Sequence, residues 1–193
     1  MAGGYCTGKN VLVGLLEKRG FEQIDVDGLG HAVLQEPAVH REIVERFGSA
    51  VLGPDGGVDR RRLGALVFGD RRQLSGLEAI VHPRMVARVE EMVGAADRPL
   101  VINAAILLRM GLERLCDFVV CVRAPLVRRL FRAAKRDGLG PLAALRRIAS
   151  QRGICSKTKA QAVDIYYVNN NRGLDRLEML ADQLLSRREF EVR

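Results

Sequence analysis

Residues Gly3-Gly4-Tyr5-Cys6-Thr7-Gly8-Lys9-Asn10 carry the glycine and lysine spacing of a phosphate-binding loop. In such a loop successive backbone N–H groups converge on a phosphate, the glycines let the chain curl tightly, and the lysine adds a positive charge. Gly4, Cys6, Thr7, Gly8, Lys9, Asn10 and Val11 are the candidate residues for holding phosphates. Asn10 stands where a Ser or Thr hydroxyl usually meets Mg²⁺, so its amide oxygen is the candidate metal donor there. Cys6 lies where the loop N–H groups and Lys9 favour a thiolate. The competing reading of the segment is a Gly-rich tail.

A second chemical cluster follows at Ile24-Asp25-Val26-Asp27. Asp27, expected at the C-terminal end of a strand, is the candidate general base, because open α/β sheets place their ligands at that end. Asp25 is expected on the same side of an extended strand, as a second oxygen for Mg²⁺ or water. The alternative is two solvated carboxylates capping the next helix. His31 lies four residues after Asp27 and either orients a substrate or makes a structural hydrogen bond. His82, before Pro83, either shapes a helix start or meets substrate, and His40 reads as surface.

Elements must position these groups, and the chain is long enough to supply them. It has 193 residues, 48% of them hydrophobic, which suits one cored domain with a small helical insertion. No long apolar run and no signal-peptide pattern are visible, so a cytoplasmic protein without membrane contact is expected. The four cysteines are scattered without a CxxC pair. Neither a disulfide nor a metal framework is expected from them, and Cys116 and Cys121 read as buried thiols. The net charge of +8 is concentrated. Between Arg123 and Lys159 stand eleven basic residues and one acid, Asp137, so this stretch carries +10 and the rest of the chain −2. Such a block suits a polyphosphate or a nucleic acid, or is a solvated helix face. Only Phe131 interleaves it as an aromatic, which gives little support for base stacking.

Four short apolar runs read as strands: 23–26, 100–105, 118–122 and 165–168. Their continuity is that of a parallel sheet buried on both faces. Helical patterns cover 11–18, 31–34, 39–47, 60–67, 71–80, 83–93, 126–135, 142–150 and 174–187. In the last, Leu174, Leu177, Leu180, Ala181 and Leu184 share one face. The expected fold is α/β: a parallel sheet flanked by helices, with a helical insert and a basic lid. The core is assigned to 1–33 and 97–193, the lid to about 125–160 and the insert to 34–96. Because only Met1 and Ala2 precede Gly3, the strand that normally feeds the loop is expected to be missing. That would leave a gap in the middle of the sheet and a poorly stable chain, with the true start upstream.

Taken together these motifs resemble the bacterial dephospho-coenzyme A kinases, a family of P-loop kinases. The resemblance runs from Gly3 onward. It rests on the loop, on Ile24-Asp25-Val26-Asp27 with His31, and on Arg46-Phe47-Gly48, Asp55-Gly56, Asp59-Arg60, Leu63 and Val67-Phe68. It rests also on His82-Pro83, Arg136-Asp137-Gly138-Leu139 and the run Asn169-Asn170-Asn171. The chain departs from the family pattern at Asn10, at Arg109 and Arg123 where acids are usual, and in the lid segment Gln151 to Lys157. The resemblance implies transfer of phosphate from ATP, with Mg²⁺, to the 3′-hydroxyl of dephospho-coenzyme A. It implies ATP contacts at the loop. Arg132 and Arg136, one turn apart, either grip ATP phosphates together or only solvate a lid helix, and Asn169 to Asn171, with Asn169 the candidate, either bond the adenine edge or form a polar turn after the last strand. Arg136 takes a catalytic part beside Lys9 and Asp27, Asp25, His31 and His82 meet the acceptor, and Lys157 or Arg152 serves in the lid. Nucleic acid is not an implied partner. The alternatives are a nucleoside or nucleotide kinase, and a binder of ATP or coenzyme A without turnover.

Overall fold

The computed structural model describes residues 1–151, 153–155, 163–171 and 173–188, without the side chains of 185–188. The four apolar runs form β2 (Glu22–Asp25), β3 (Leu100–Asn103), β4 (Phe118–Arg123) and β5 (Asp164–Asn169), and Ala2–Gly3 forms a short β1 ahead of them. β1, β4 and β5 make a parallel sheet in the order β1-β4-β5, with Ala2 opposite Cys121 and Cys121 opposite Tyr167. β2 and β3 pair separately. Met1 links the two sets: its nitrogen donates to the Ile102 carbonyl at 2.7 Å, and the Ala104 N–H donates to the Met1 carbonyl at 3.2 Å.

This corrects the expectation of a missing strand. Residues 1–3 fill the place between β3 and β4 that was expected to stand open. Two residues are too few for a periodicity to register, but they pair with Cys121 and Val122 of β4, and Met1 bonds to the β3 side.

Two compact units divide the chain: Met1–Ile24 with Ala96–Arg193, and Asp25–Ala95. In the first, α1 (Lys9–Glu17) buries Leu12, Val13, Leu15 and Leu16 on the sheet residues Val101, Val120, Val122 and Val168. The closing helix α8 (Leu174–Arg188) adds Leu177 and Ala181 to this core, with Leu180 and Leu184 partly buried, whereas Leu174 is exposed. The basic stretch forms α6 (Leu126–Asp137) and α7 (Pro141–Ser150), which pack on each other. Residues 156–160 of the expected lid, and the lid candidates Arg152 and Lys157, lie outside the described residues.

The second unit is helical: α2 (Val26–Val33), α3 (Pro37–Phe47), α4 (Arg60–Val67) and α5 (Arg71–Gly94). α5 is the spine on which α2, α3 and α4 pack. Asp59 and Asp70 cap α4 and α5, each accepting two backbone N–H bonds. The sequence suggested two helices broken at Pro83. The structure has one helix of 24 residues with Pro83 inside it. A proline deletes one helical N–H bond, and burial of Val81, Met85 and Val89 on the spine outweighs that loss.

The cysteine reading also needs correction. Cys121 on β4 is joined to Cys155, 34 residues on, by a disulfide, while Cys6 and Cys116 are free thiols. Burial pushes the Cys116 thiol above its usual pKa. The pairing escaped the sequence because β4 and the turn after α7 meet only in the folded chain.

Candidate active site

The loop closes as its glycines and Thr7 dictate. The Thr7 N–H donates to the Gly4 carbonyl at 3.2 Å, and the Thr7 hydroxyl donates to the same oxygen at 2.8 Å. Cys6 takes φ 59° and Gly8 φ 97°, both left-handed. Gly8 is doubly required, because a Cβ there would also collide with the Asn170 amide nitrogen. Lys9 opens α1 and is buried together with Thr7; Asn10 and Val11 follow it on the exposed side. The dipole of α1 and the curled N–H groups make this end an anion site.

The basic helices grip the loop from outside through its carbonyl groups. Arg132 on α6 donates to the Cys6 and Thr7 carbonyls, each at 3.2 Å, and to that of Asn170 at 3.5 Å. Arg129, one turn earlier, donates through Nε to the Tyr5 carbonyl at 2.7 Å. Gln151, just past α7, accepts the Tyr5 N–H. The Tyr5 hydroxyl donates to Asp137, which Arg136 also holds through two bonds of 2.8 Å. These partners, Arg136 first and Tyr5 second, draw the Asp137 carboxyl down to about 2. Arg136 and Arg147 also lie over the Tyr5 ring, at 5.2 and 5.0 Å from its centre.

After β5 the three asparagines separate in role. Asn169, the candidate for adenine, is exposed at the strand end. Asn170 is buried and donates through Nδ2 to the Thr7 carbonyl at 2.9 Å. Beside the loop lies a cavity of about 640 Å³, lined by Gly4, Thr7, Arg123, Arg129, Gln151 and Tyr167 among others, with no Asp or Glu among the described residues of its wall. Arg123 stacks on Tyr167 there, 3.7 Å from the ring centre.

The helical unit carries the carboxylates. β2 ends at Asp25, which takes an extended conformation as the N-cap of α2. Asp27 is therefore not on the strand but in the first turn of the helix, where an acid suits the dipole. The alternation that placed Asp25 and Asp27 on one side does not apply across that cap. Gly28 gives Asp25 its room: a Cβ at Gly28 would stand 2.8 Å from the Asp25 carboxylate. Asp25, Asp27 and His31 are exposed along α2, and His82 is half-buried on α5. Among the described residues no three His, Cys, Asp or Glu side chains cluster as a preformed metal site.

Arg129, Gln151 and Asn170 hold the loop, and sequence reasoning gave none of them that part. Asn170 was within the quoted asparagine run, but three identical residues offer no signal of which one turns inward. Arg129 was one cation among eleven.

The family model for dephospho-CoA kinase matches residues 1–175. A dephospho-CoA kinase of Anaeromyxobacter dehalogenans is 39% identical over 192 residues, spanning 96% of this chain and 89% of its own. One from Deinococcus radiodurans is 36% identical, spanning 100% and 91%. Among solved structures, a Thermus thermophilus protein is similar with a TM-score of 0.78 at 30% identity, covering 96% of this chain and 94% of its own. The dephospho-CoA kinase of Campylobacter jejuni has a TM-score of 0.66 at 25% identity, covering 96% and 93%.

Proposed function

The chain belongs to the dephospho-CoA kinase family, and from that premise we propose that it phosphorylates the 3′-hydroxyl of dephospho-coenzyme A with ATP, giving coenzyme A. The observation that carries the reading is the family match over residues 1–175, which takes in the phosphate loop and the whole helical unit. Phosphoryl transfer asks the protein to hold a polyphosphate, neutralise charge on the transferred group and orient a nucleophile. The loop N–H groups and Lys9 hold the phosphates. Arg132 and Arg136 bring positive charge to the same loop, and Asn169 meets the adenine. Asp27 accepts the proton of the acceptor hydroxyl, with Asp25, His31 and His82 as the other acceptor contacts.

Magnesium fits this donor set. It keeps several waters and binds through one or two carboxylates and substrate phosphates, so no preformed cluster is needed. The hard oxygens of Asn10 and Asp25 are the residues that would hold it, and it would offset phosphate charge when bound. The +10 stretch is assigned to nucleotide phosphates rather than to nucleic acid, which is supported by Arg129 and Arg132 being turned onto the loop. We place the reaction in the cytoplasm; none of the described helices is long and apolar enough to cross a membrane.

A coupled assay with ATP and dephospho-coenzyme A tests the reading. ADP should form only when the acceptor is present, with coenzyme A as product. Turnover of nucleosides or nucleoside monophosphates in its place would overturn it.

A further inference from the structure

The arginines of α6 that face the loop differ in one respect. Arg132 spreads its guanidinium over three carbonyls, and Arg136 is matched to Asp137. Arg129 spends Nε on the Tyr5 carbonyl, yet its Nη2 is buried without a partner, the only such guanidinium nitrogen among the described residues. That nitrogen points to Gly4: a Cβ built there would stand 2.9 Å from it, so the glycine keeps the approach clear. Both residues line the 640 Å³ cavity beside the loop. Among the described residues its wall holds two arginines and no carboxylate. Burial pulls the Arg129 guanidinium below its usual pKa, and Cys6 offsets part of that fall. A buried, unpartnered donor costs free energy unless a ligand satisfies it, and a planar guanidinium matches a phosphate oxygen better than any neutral group does.

We propose that Arg129 is a further nucleotide-binding residue, whose Nη2 donates to the terminal phosphate of ATP in this cavity while Nε keeps hold of the loop. It thereby distinguishes a nucleoside triphosphate from a diphosphate. The proposal rests on the ATP-dependent reading above. The pyrophosphate of the acceptor offers the same oxygen chemistry, so the test separates the two sources.

ATP, ADP and dephospho-coenzyme A are each titrated into the full chain and into Arg129→Gln and Arg129→Lys by calorimetry, without turnover. Wild type should bind ATP more tightly than ADP. Arg129→Gln should lose ATP affinity by roughly 10-fold or more, the scale of one charged hydrogen bond, and lose clearly less for ADP, which feels only the lost Tyr5 bond, and for the acceptor. Arg129→Lys has one ammonium for two tasks and should show the same selective loss to a smaller degree. It carries the test alone if Arg129→Gln does not fold. An equal loss for ATP and ADP would mean that Arg129 only holds Tyr5. A loss confined to dephospho-coenzyme A would give the cavity to the acceptor. Unchanged ATP affinity would remove the residue from the site. Each of these three results overturns the proposal. Failure of the wild-type chain to phosphorylate dephospho-coenzyme A would refute the functional reading and leave the ATP-to-ADP comparison standing.

Discussion

The phosphate loop and the Asp25–His31 segment both read as motifs, yet the fold holds them by different means. In the loop, the carbonyls of Tyr5, Cys6 and Thr7 each accept a bond from a side chain more than a hundred residues away in sequence. α2 is secured chiefly by its apolar face, where Val26 and Val33 are buried, while Asp25, Asp27 and His31 remain exposed. A loop whose carbonyls are bound from outside must present its N–H groups inward, so its geometry is fixed before a ligand arrives. Carboxylates on an exposed helical turn keep their hydration until a substrate displaces the water. Substitutions in the loop should therefore disturb binding, and those on α2 should disturb turnover.

Lys9→Ala should show the largest effect. ATP affinity should fall and transfer should cease, with circular dichroism unchanged. A variant that binds ATP like the wild type would remove Lys9 from the phosphate site and blunt the comparison. Asp27→Asn keeps size and hydrogen bonding but removes the charge. It should lower kcat by roughly 10² or more, the usual scale for a positioned base, and leave ATP titrations nearly unchanged. Asp25→Asn should act instead on the Mg²⁺ dependence. Turnover close to the wild-type rate in Asp27→Asn would sink its assignment.

A smaller effect is expected at Asn170, and it sharpens the contrast because its side chain holds the loop through the Thr7 carbonyl. Asn170→Ala should cost roughly 1–3 kcal/mol in denaturant unfolding, the scale of a lost buried hydrogen bond, and should raise the KM for ATP more than it lowers kcat. If kcat falls while the KM holds, the loop carbonyls are not what fixes ATP binding. The smallest effect is at Asp137. Its folded pKa of about 2 lies below the ordinary 3.8, so the stability it lends is present above the ordinary value and is lost as pH falls through about 2. The melting temperature of the wild type should therefore exceed that of Asp137→Asn at pH 5 and converge with it toward pH 2. A constant difference across that range would show that the Tyr5 and Arg136 bonds do not depend on the charge.

Local signals carried most of what was legible. The loop spacing, the strands β3, β4 and β5, the capped helix α4 and the amphipathic α8 all have a period or a punctuation that one stretch of chain displays by itself. The family was legible too, because its motifs are short and stand in order. β1 was not legible, since two residues have no pattern and are a strand only through pairing with Cys121 and Val122. Pro83 misled because propensity speaks for the isolated helix, whereas burial on the spine decides the folded one.

By itself the sequence determined the chemical inventory of this protein: a curled loop ending in Lys9, an acid pair before a helix, and a concentrated positive charge. The tertiary structure alone decided how that inventory is used. It chose Asn170 over Asn169 to hold the loop, set Arg129 and Arg132 on successive loop carbonyls, and left one Arg129 nitrogen unmatched. It moved Asp27 from a strand to a helical turn and joined Cys121 to Cys155. The physical reason is the same in each case. A residue type fixes which bonds are possible, but a hydrogen bond or a disulfide needs two partners within about 3 Å or less, and long-range packing sets that distance.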